Sequence, residues 1–232
     1  MISRSPRPAM RLPASRWILL AALLPLAAFG SRDGTCQDRS DLEALYWARQ
    51  DSARMAFTEA DVRFMDGMIG HHAQALIMSA LAPTNGASPA VQTLAARITN
   101  AQRDEIATMQ QWLRDRGQPV PEAHIDGLTL MIHGGQTHHG GHGAHEHATM
   151  PGMLTDAQLR ELAEAHGPDF DRLFLTFMIQ HHAGAVAMVD ELFATDGAAQ
   201  DEAAFKLASD IHVDQLTEIA RMERMLRALS GD

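Results

Sequence analysis

The strongest constraint on the fold of this chain is a stretch of sequence that occurs twice. Residues 64–78, "FMDGMIGHHAQALIM", match residues 174–188, "FLTFMIQHHAGAVAM", at eight of fifteen positions. Downstream of each copy, residues 94–113 match residues 207–226, and the offset between the copies changes from 110 to 113. The repeated unit is therefore a motif segment, a loop and a second segment, which predicts two similar halves.

Local signals divide the first half into two helices. Thr58 is a favourable N-cap for the motif helix, which must end before Pro83. Ser88 is a suitable start for the second helix, and Gly117 is a suitable stop. Together these signals predict a helical hairpin.

The second half is predicted to contain a short helix over residues 155–167, a motif helix to about residue 195 and a last helix over residues 200–229. Another helix is predicted near residues 41–54.

Two hairpins with matching apolar faces pack as a four-helix bundle, whereas separate hairpins on a flexible linker would each bury little surface. The predicted fold class is an all-α four-helix bundle of two repeated hairpins with a His-rich linker. The predicted divisions are a signal peptide (1–30), an N-terminal segment (31–57) and the bundle (58–229), comprising repeat 1 (58–117), the linker (118–153) and repeat 2 (154–229).

The first 30 residues have the pattern of a secretory signal peptide. Four arginines precede the apolar run "WILLAALLPLAAF" at residues 17–29, and small residues follow it. The run is short for a bilayer span, so cleavage near its end and a periplasmic or secreted protein are predicted. The alternatives are an uncleaved anchor, which would be the only membrane contact, and a lipid anchor at Cys36. The "DGT" that precedes this single cysteine disfavours lipid attachment.

Each motif places methionine and histidine on one helix face. At 100° per residue, Met68, His71 and Met78 share a stripe, with His72 on its flank, and the second copy repeats the pattern. The partner helices each add a glutamate and a methionine on one face. The candidate metal ligands of the bundle are Met68, His71, His72, Met78, Met109, Met178, His181, His182, Met188 and Met222.

Thioether and imidazole together form a soft donor set. Thioethers suit Cu(I) and Ag(I) rather than Mg²⁺ or Ca²⁺, and imidazole also suits Cu(II) and Zn(II). Copper is therefore the predicted metal, with silver and zinc as alternatives. Glu105 and Glu218 are expected to accept hydrogen bonds from histidines and to fix their tautomers. Because it lies mid-stripe, His71 is favoured over His72 as the residue that faces the metal.

A packed core without metal is the alternative interpretation of these motifs. Methionine at helical spacing is usually core filler, and a single histidine on an apolar face is more often structural than a ligand. A His-His pair that occurs twice, with methionine at the same offsets, is harder to explain by packing. The repeated pattern therefore favours metal binding.

The sequence gives weaker support to other functions, and the chain is predicted not to be an enzyme. Di-iron bundle oxidoreductases use Glu-x-x-His, but Met68 and Met178 stand where that glutamate would be. No Gly-x-Ser-x-Gly motif indicates a nucleophile. With 29 acidic against 19 basic residues, no nucleic-acid partner is expected. A bundle that only binds a protein partner is a further alternative.

The linker is rich in histidine and glycine and has no hydrophobic period, so it is predicted to be a mobile loop. It could capture Cu(II), Zn(II) or Ni(II) and buffer or deliver the ion, or it could be a solvated spacer. The candidate loop ligands are His133, His138, His139, His142, His145, His147, Met150 and Met153.

The chain resembles the DUF305 family over roughly residues 58–229. The two motifs carry the resemblance, with "QRDEIATM" and "QLTEIARM" downstream of them and "MPGMLTDAQLREL" between the halves. It implies a ferritin-like four-helix bundle among mostly exported bacterial proteins, whose characterised members bind copper, some silver, and are linked to copper resistance. The expected function is thus copper sequestration, resistance or delivery, with a copper donor or acceptor protein as partner. By resemblance, the metal ligands or their neighbours are Met68, His71, His72, Met78, Met178, His181, His182 and Met188.

Overall fold

The computed structural model of the chain describes residues 34–135 and 150–230. The predicted signal peptide lies outside these residues. The chain divides into two units, residues 1–43 and 44–232. Helix α1, Gly34–Arg54, begins in the first unit, earlier than its predicted start, and ends in the second. None of the described helices is long and apolar enough to cross a membrane.

The second unit is built on two helical hairpins. In the first hairpin, α2 (Glu59–Ala80) packs against α3 (Pro89–Asp115). In the second, α5 (Gly167–Ala194) packs against α6 (Glu202–Ser230), and the short α4 (Asp156–Glu164) precedes them. Helix α2 also packs against α5, and α3 against α6. The predicted helical bundle is therefore confirmed.

The predicted starts of α2, α3 and α4 are also confirmed. The Thr58 hydroxyl accepts the Asp61 N–H at 3.4 Å, while the Asp61 carboxylate accepts the Thr58 N–H at 2.7 Å. Ser88 caps α3, and Thr155 forms a capping box with Gln158 at the start of α4. These side chains satisfy backbone N–H groups that the first turn of a helix leaves without partners.

The prediction that residues 118–153 form a mobile loop is wrong for the parts that the structure describes. Strands β1 (Glu122–Asp126) and β2 (Thr129–His133) pair antiparallel, with Asp126 opposite Thr129. The glycine after β1 has a φ of 57°, which suits a two-residue hairpin turn. A glycine at the first position of a two-residue loop between short strands is a hairpin signal, which the glycine-rich composition of the linker obscured.

The core consists of two clusters of buried side chains. The first cluster joins the end of α2, including Met78, to the start of α5, including Phe174. The second cluster joins the start of α2, including Val62, to the end of α5, including Val189. The two motif helices are therefore antiparallel, and the motif histidines lie between the clusters on both helices.

Candidate metal centre

The two motif helices bury four histidines. His71 and His72 on α2, and His181 and His182 on α5, have no exposed surface. Burial of a polar ring costs free energy unless its nitrogen atoms find partners. The partners of these nitrogens therefore indicate which of them remain available to bind an ion.

Glutamates of the partner helices hold two of the histidines. His72 Nε2 lies 2.7 Å from Glu105 Oε2, and His182 Nε2 lies 2.8 Å from Glu218 Oε2. These contacts confirm the predicted His–Glu hydrogen bonds. Because a carboxylate accepts, Nε2 carries a proton, and in the neutral form of the ring, which is the form that binds metal ions, Nδ1 keeps a lone pair. Neither Nδ1 atom has a partner among the groups that the structure describes, so both are available as metal ligands.

The other two histidines face each other across the motif helices. The ring centroids of His71 and His181 are 3.9 Å apart, with 41° between the ring planes. His71 Nε2 donates to the carbonyl oxygen of Pro151 at 3.0 Å. Within the described parts of the chain, His71 Nδ1 and both ring nitrogens of His181 have no partner at good hydrogen-bond geometry, although the backbone of His71 lies close enough to the His181 ring to raise its pKa in part. Buried nitrogens of this kind require another partner, such as a bound ion.

Burial keeps this facing pair uncharged. Desolvation is the largest cause that lowers the pKa of His71 to about 3, and the charge of His72 comes next. Desolvation also holds the pKa of His181 well below its usual value of 6.5, followed by the charge of His71. Neutral imidazole is the form that binds metal ions. At neutral pH, both rings can therefore accept an ion without first losing a proton.

The candidate methionines of the bundle divide between the two clusters. Met188 is half-buried and packs against the second cluster. The other five are fully buried, Met68 and Met109 in the second cluster and Met78, Met178 and Met222 in the first. This placement agrees with packing as well as with ligation, so their role as ligands stays a prediction.

The linker candidates are not gathered at one place in the described part of the chain. His133 ends β2 and is exposed, whereas Met150 and Met153 are partly buried. Among the described residues, the four buried histidines included, no three His, Cys, Asp or Glu side chains form a group that could hold a metal ion. The remaining candidates lie outside the described residues: His138, His139, His142, His145 and His147.

A turn over residues 150–154 contacts both motif helices, which the sequence did not predict. On α2, the Gln74 side chain donates to the Leu154 carbonyl at 3.0 Å and accepts its N–H at 2.8 Å. On α5, a Cβ on Gly184 would lie 2.0 Å from the Pro151 carbonyl oxygen, so the close approach requires glycine. A signal was present in the sequence, because Gln74 and Gly184 occupy equivalent positions of two otherwise similar motifs.

The profile of DUF305, a domain of unknown function, matches residues 61–226, which include both motif helices and the turn. The chain belongs to the DUF305 family. The resemblance carried by the motifs is thereby confirmed. No curated protein matches this DUF305 chain.

Solved structures of similar proteins share the helical fold of this DUF305 chain. A DUF305 fragment from Deinococcus radiodurans is 31% identical with a TM-score of 0.58, over 74% of this chain and 98% of the fragment. CopM in the Cu(I)-bound form is 27% identical with a TM-score of 0.51. CopM in the Ag-bound form is 28% identical with a TM-score of 0.50. Both CopM comparisons cover 72% of this chain and 96% of CopM.

Proposed function

We propose that this DUF305 protein is an exported copper-binding protein that binds Cu(I) or Ag(I) through pairs of its four buried histidines, for sequestration, resistance or delivery. The observation that carries the proposal is the set of buried ring nitrogens that have no partner within the described residues. CopM, a protein of similar structure, occurs in Cu(I)-bound, Cu(II)-bound and Ag-bound forms, which supports the choice of metal.

The donor atoms of the site and its burial favour a soft ion with a single positive charge. Imidazole beside thioether suits Cu(I) and Ag(I). The cost of moving an ion out of water rises steeply with its charge, so a buried site accepts a monovalent ion more readily than a divalent one. Glu105 and Glu218 lie behind two of the rings, where their charge offsets that of the ion and orients the ligands.

Competition for Cu(I) with a chromophoric chelator, under reducing and anaerobic conditions, tests the proposal. We expect the combined replacement of His71, His72, His181 and His182 by Ala to weaken Cu(I) binding at least 100-fold. His124→Ala, at an exposed position of β1, is the matched control and should bind like the unmodified protein. Unchanged affinity in the fourfold variant would overturn the assignment.

A smaller change guards against loss of the fold in that variant. His71→Gln with His181→Gln keeps a polar side chain of similar size at the two facing positions. Far-UV circular dichroism should show the same helical content as in the unmodified protein, while Cu(I) affinity falls. A folded double variant with unaltered affinity would count against a role for the facing pair.

The linker histidines remain a separate prediction for Cu(II). Residues 138–147 contain five histidines, and replacing all five by Asn keeps the chain length unchanged. Lower Cu(II) uptake, measured by equilibrium dialysis, would support capture of the ion by the linker. Unchanged uptake would make this segment a spacer.

Export rests on the sequence of residues 1–30. N-terminal sequencing of the mature protein, taken from the periplasmic or secreted fraction, should find a start near residue 30. An intact Met1 in protein from that fraction would contradict cleavage.

A further inference from the structure

A cavity of about 260 Å³ opens between the two motif helices, beside the turn that contacts His71. Helix α2 contributes Gly67 to its lining, α5 contributes Met188, and the turn contributes Met150. One water molecule takes up about 30 Å³ in the liquid. The cavity is therefore large enough for an ion together with ligands from the solvent.

The ends of two methionine side chains meet in this cavity. A Cβ on Gly67 would lie 3.2 Å from Met150 Sδ and 3.4 Å from the terminal methyl group of Met188. The two methionines are far apart in the sequence, yet their side-chain ends face the same point. Both are only partly buried, so an ion from solvent can reach them. Thioether sulfur is a soft ligand that prefers Cu(I) and Ag(I).

Differences between the two motifs favour a role beyond packing. Gly67 corresponds to the buried Phe177 of the second motif, so the first motif lacks a large side chain at this position. Met188 corresponds to Met78, which is fully buried in the first cluster. Methionine adapts to irregular spaces and normally fills them. Here an open volume remains beside two methionines.

We propose that Met150 and Met188 form a second binding site for Cu(I) or Ag(I), outside the buried histidines. Glu191 lines the same cavity and places a carboxylate near a bound cation. The cation on the cavity wall, Arg63, lies 3.6 Å from Glu59, which offsets its charge. The inference goes beyond the proposed function because this site uses none of the four histidines.

Titration of metal-free, full-length protein with Ag(I) tests the site, because Ag(I) stays monovalent in air. With ¹³C-labelled methionine methyl groups, NMR should show the Met150 and Met188 signals shifting as Ag(I) is added. The signal of Met131, an exposed methionine of β2, should stay in place. Uptake of Ag(I) without movement of the first two signals would overturn the proposal.

Variants give a second measurement of the same site. Met150→Leu with Met188→Leu removes both sulfur atoms at nearly constant volume, and Met131→Leu is the matched control. We expect the double variant to bind one Ag(I) fewer per chain, and Gly67→Leu to cause the same loss by filling the cavity. Unchanged stoichiometry in the double variant and in Gly67→Leu contradicts the site.

The outcome is distinguishable from failure of the buried-histidine proposal. In the fourfold histidine variant, the Met150 and Met188 signals should still shift when Ag(I) is added. If the histidine proposal is wrong, histidine ring signals stay unmoved in the unmodified protein while these methyl signals shift. If the thioether site is wrong, the methyl signals stay unmoved in both proteins.

Discussion

The two halves of the bundle have the same histidine–glutamate hydrogen bond, but they contact the turn over residues 150–154 in different ways. In each half a histidine is bound to a glutamate of the partner helix, His72 at 2.7 Å and His182 at 2.8 Å. Two residues further on, Gln74 hydrogen-bonds the turn in the first half, whereas Gly184 admits its backbone in the second. The histidine–glutamate pairs are therefore alike in the two halves, whereas the contacts that Gln74 and Gly184 make with the turn are different.

The largest expected effect is that of Gly184→Ala, which tests the second of these contacts. The new Cβ would lie 2.0 Å from the Pro151 carbonyl oxygen and 2.7 Å from the Gly152 Cα, both backbone atoms. We expect the free energy of unfolding in urea to fall by about 3 kcal/mol, although alanine favours a helix by about 1 kcal/mol. Gly67→Ala is the control, since its Cβ meets only the ends of flexible side chains. Equal stability of both variants would show that the turn does not require Gly184.

The loss of stability at low pH should show whether His71 and His181, the first histidine of each motif, are buried to the same degree. The folded-state pKa of His71 is about 3 and that of His181 is also lowered, so below pH 6.5 the unfolded chain binds protons that the folded chain does not. The free energy of unfolding of metal-free protein is therefore highest above pH 6.5. It should fall by about 1 kcal/mol per pH unit for His71 as the pH drops from 6.5 toward 4, and His181 should lower it in the same direction.

Urea unfolding at a series of pH values measures this slope. His71→Leu and His181→Leu should each make this slope shallower, whereas His124→Leu, at an exposed position of β1, should leave the slope unchanged. A slope that survives both core substitutions would assign the acid sensitivity to other groups.

The hydrogen bonds between the Gln74 side chain and the backbone of Leu154 are tested by Gln74→Leu. This change leaves the buried N–H and carbonyl of Leu154 without their partners, so we expect a loss of about 2 kcal/mol in the free energy of unfolding. Gln111→Leu is the matched control, because Gln111 bonds only to exposed side chains of α3. A loss no greater than in the control would mean that Gln74 does not position the turn.

The similarity of the halves is tested by Glu105→Gln and Glu218→Gln. An amide no longer supplies the negative charge that orients and polarises the histidine, so each change should weaken Cu(I) binding about tenfold. Chelator competition measures both, with Glu223→Gln at an exposed position of α6 as the control. An effect confined to one glutamate would show that the two halves are not equivalent sites.

The sequence was sufficient for the helices and for the histidine partners because both depend on local spacing. The caps at Thr58 and Ser88 follow from residue type, and the position of Glu105 on its helix face follows from the helical period. The β-hairpin and the turn were missed because no hydrophobic period marks them. The contact between His71 and Pro151 was also missed, since its acceptor is a backbone carbonyl, which every residue has.

The bond from His71 to Pro151 links the chemistry of a core side chain to a turn in the linker. A carbonyl oxygen can only accept, so the docked turn dictates which ring nitrogen of His71 is protonated. If residues 150–154 left the helices, the ring would be free to exchange tautomers. The nitrogen resonances of this one ring therefore report whether the turn is in place. Changes elsewhere in the linker that leave the turn docked should not alter them.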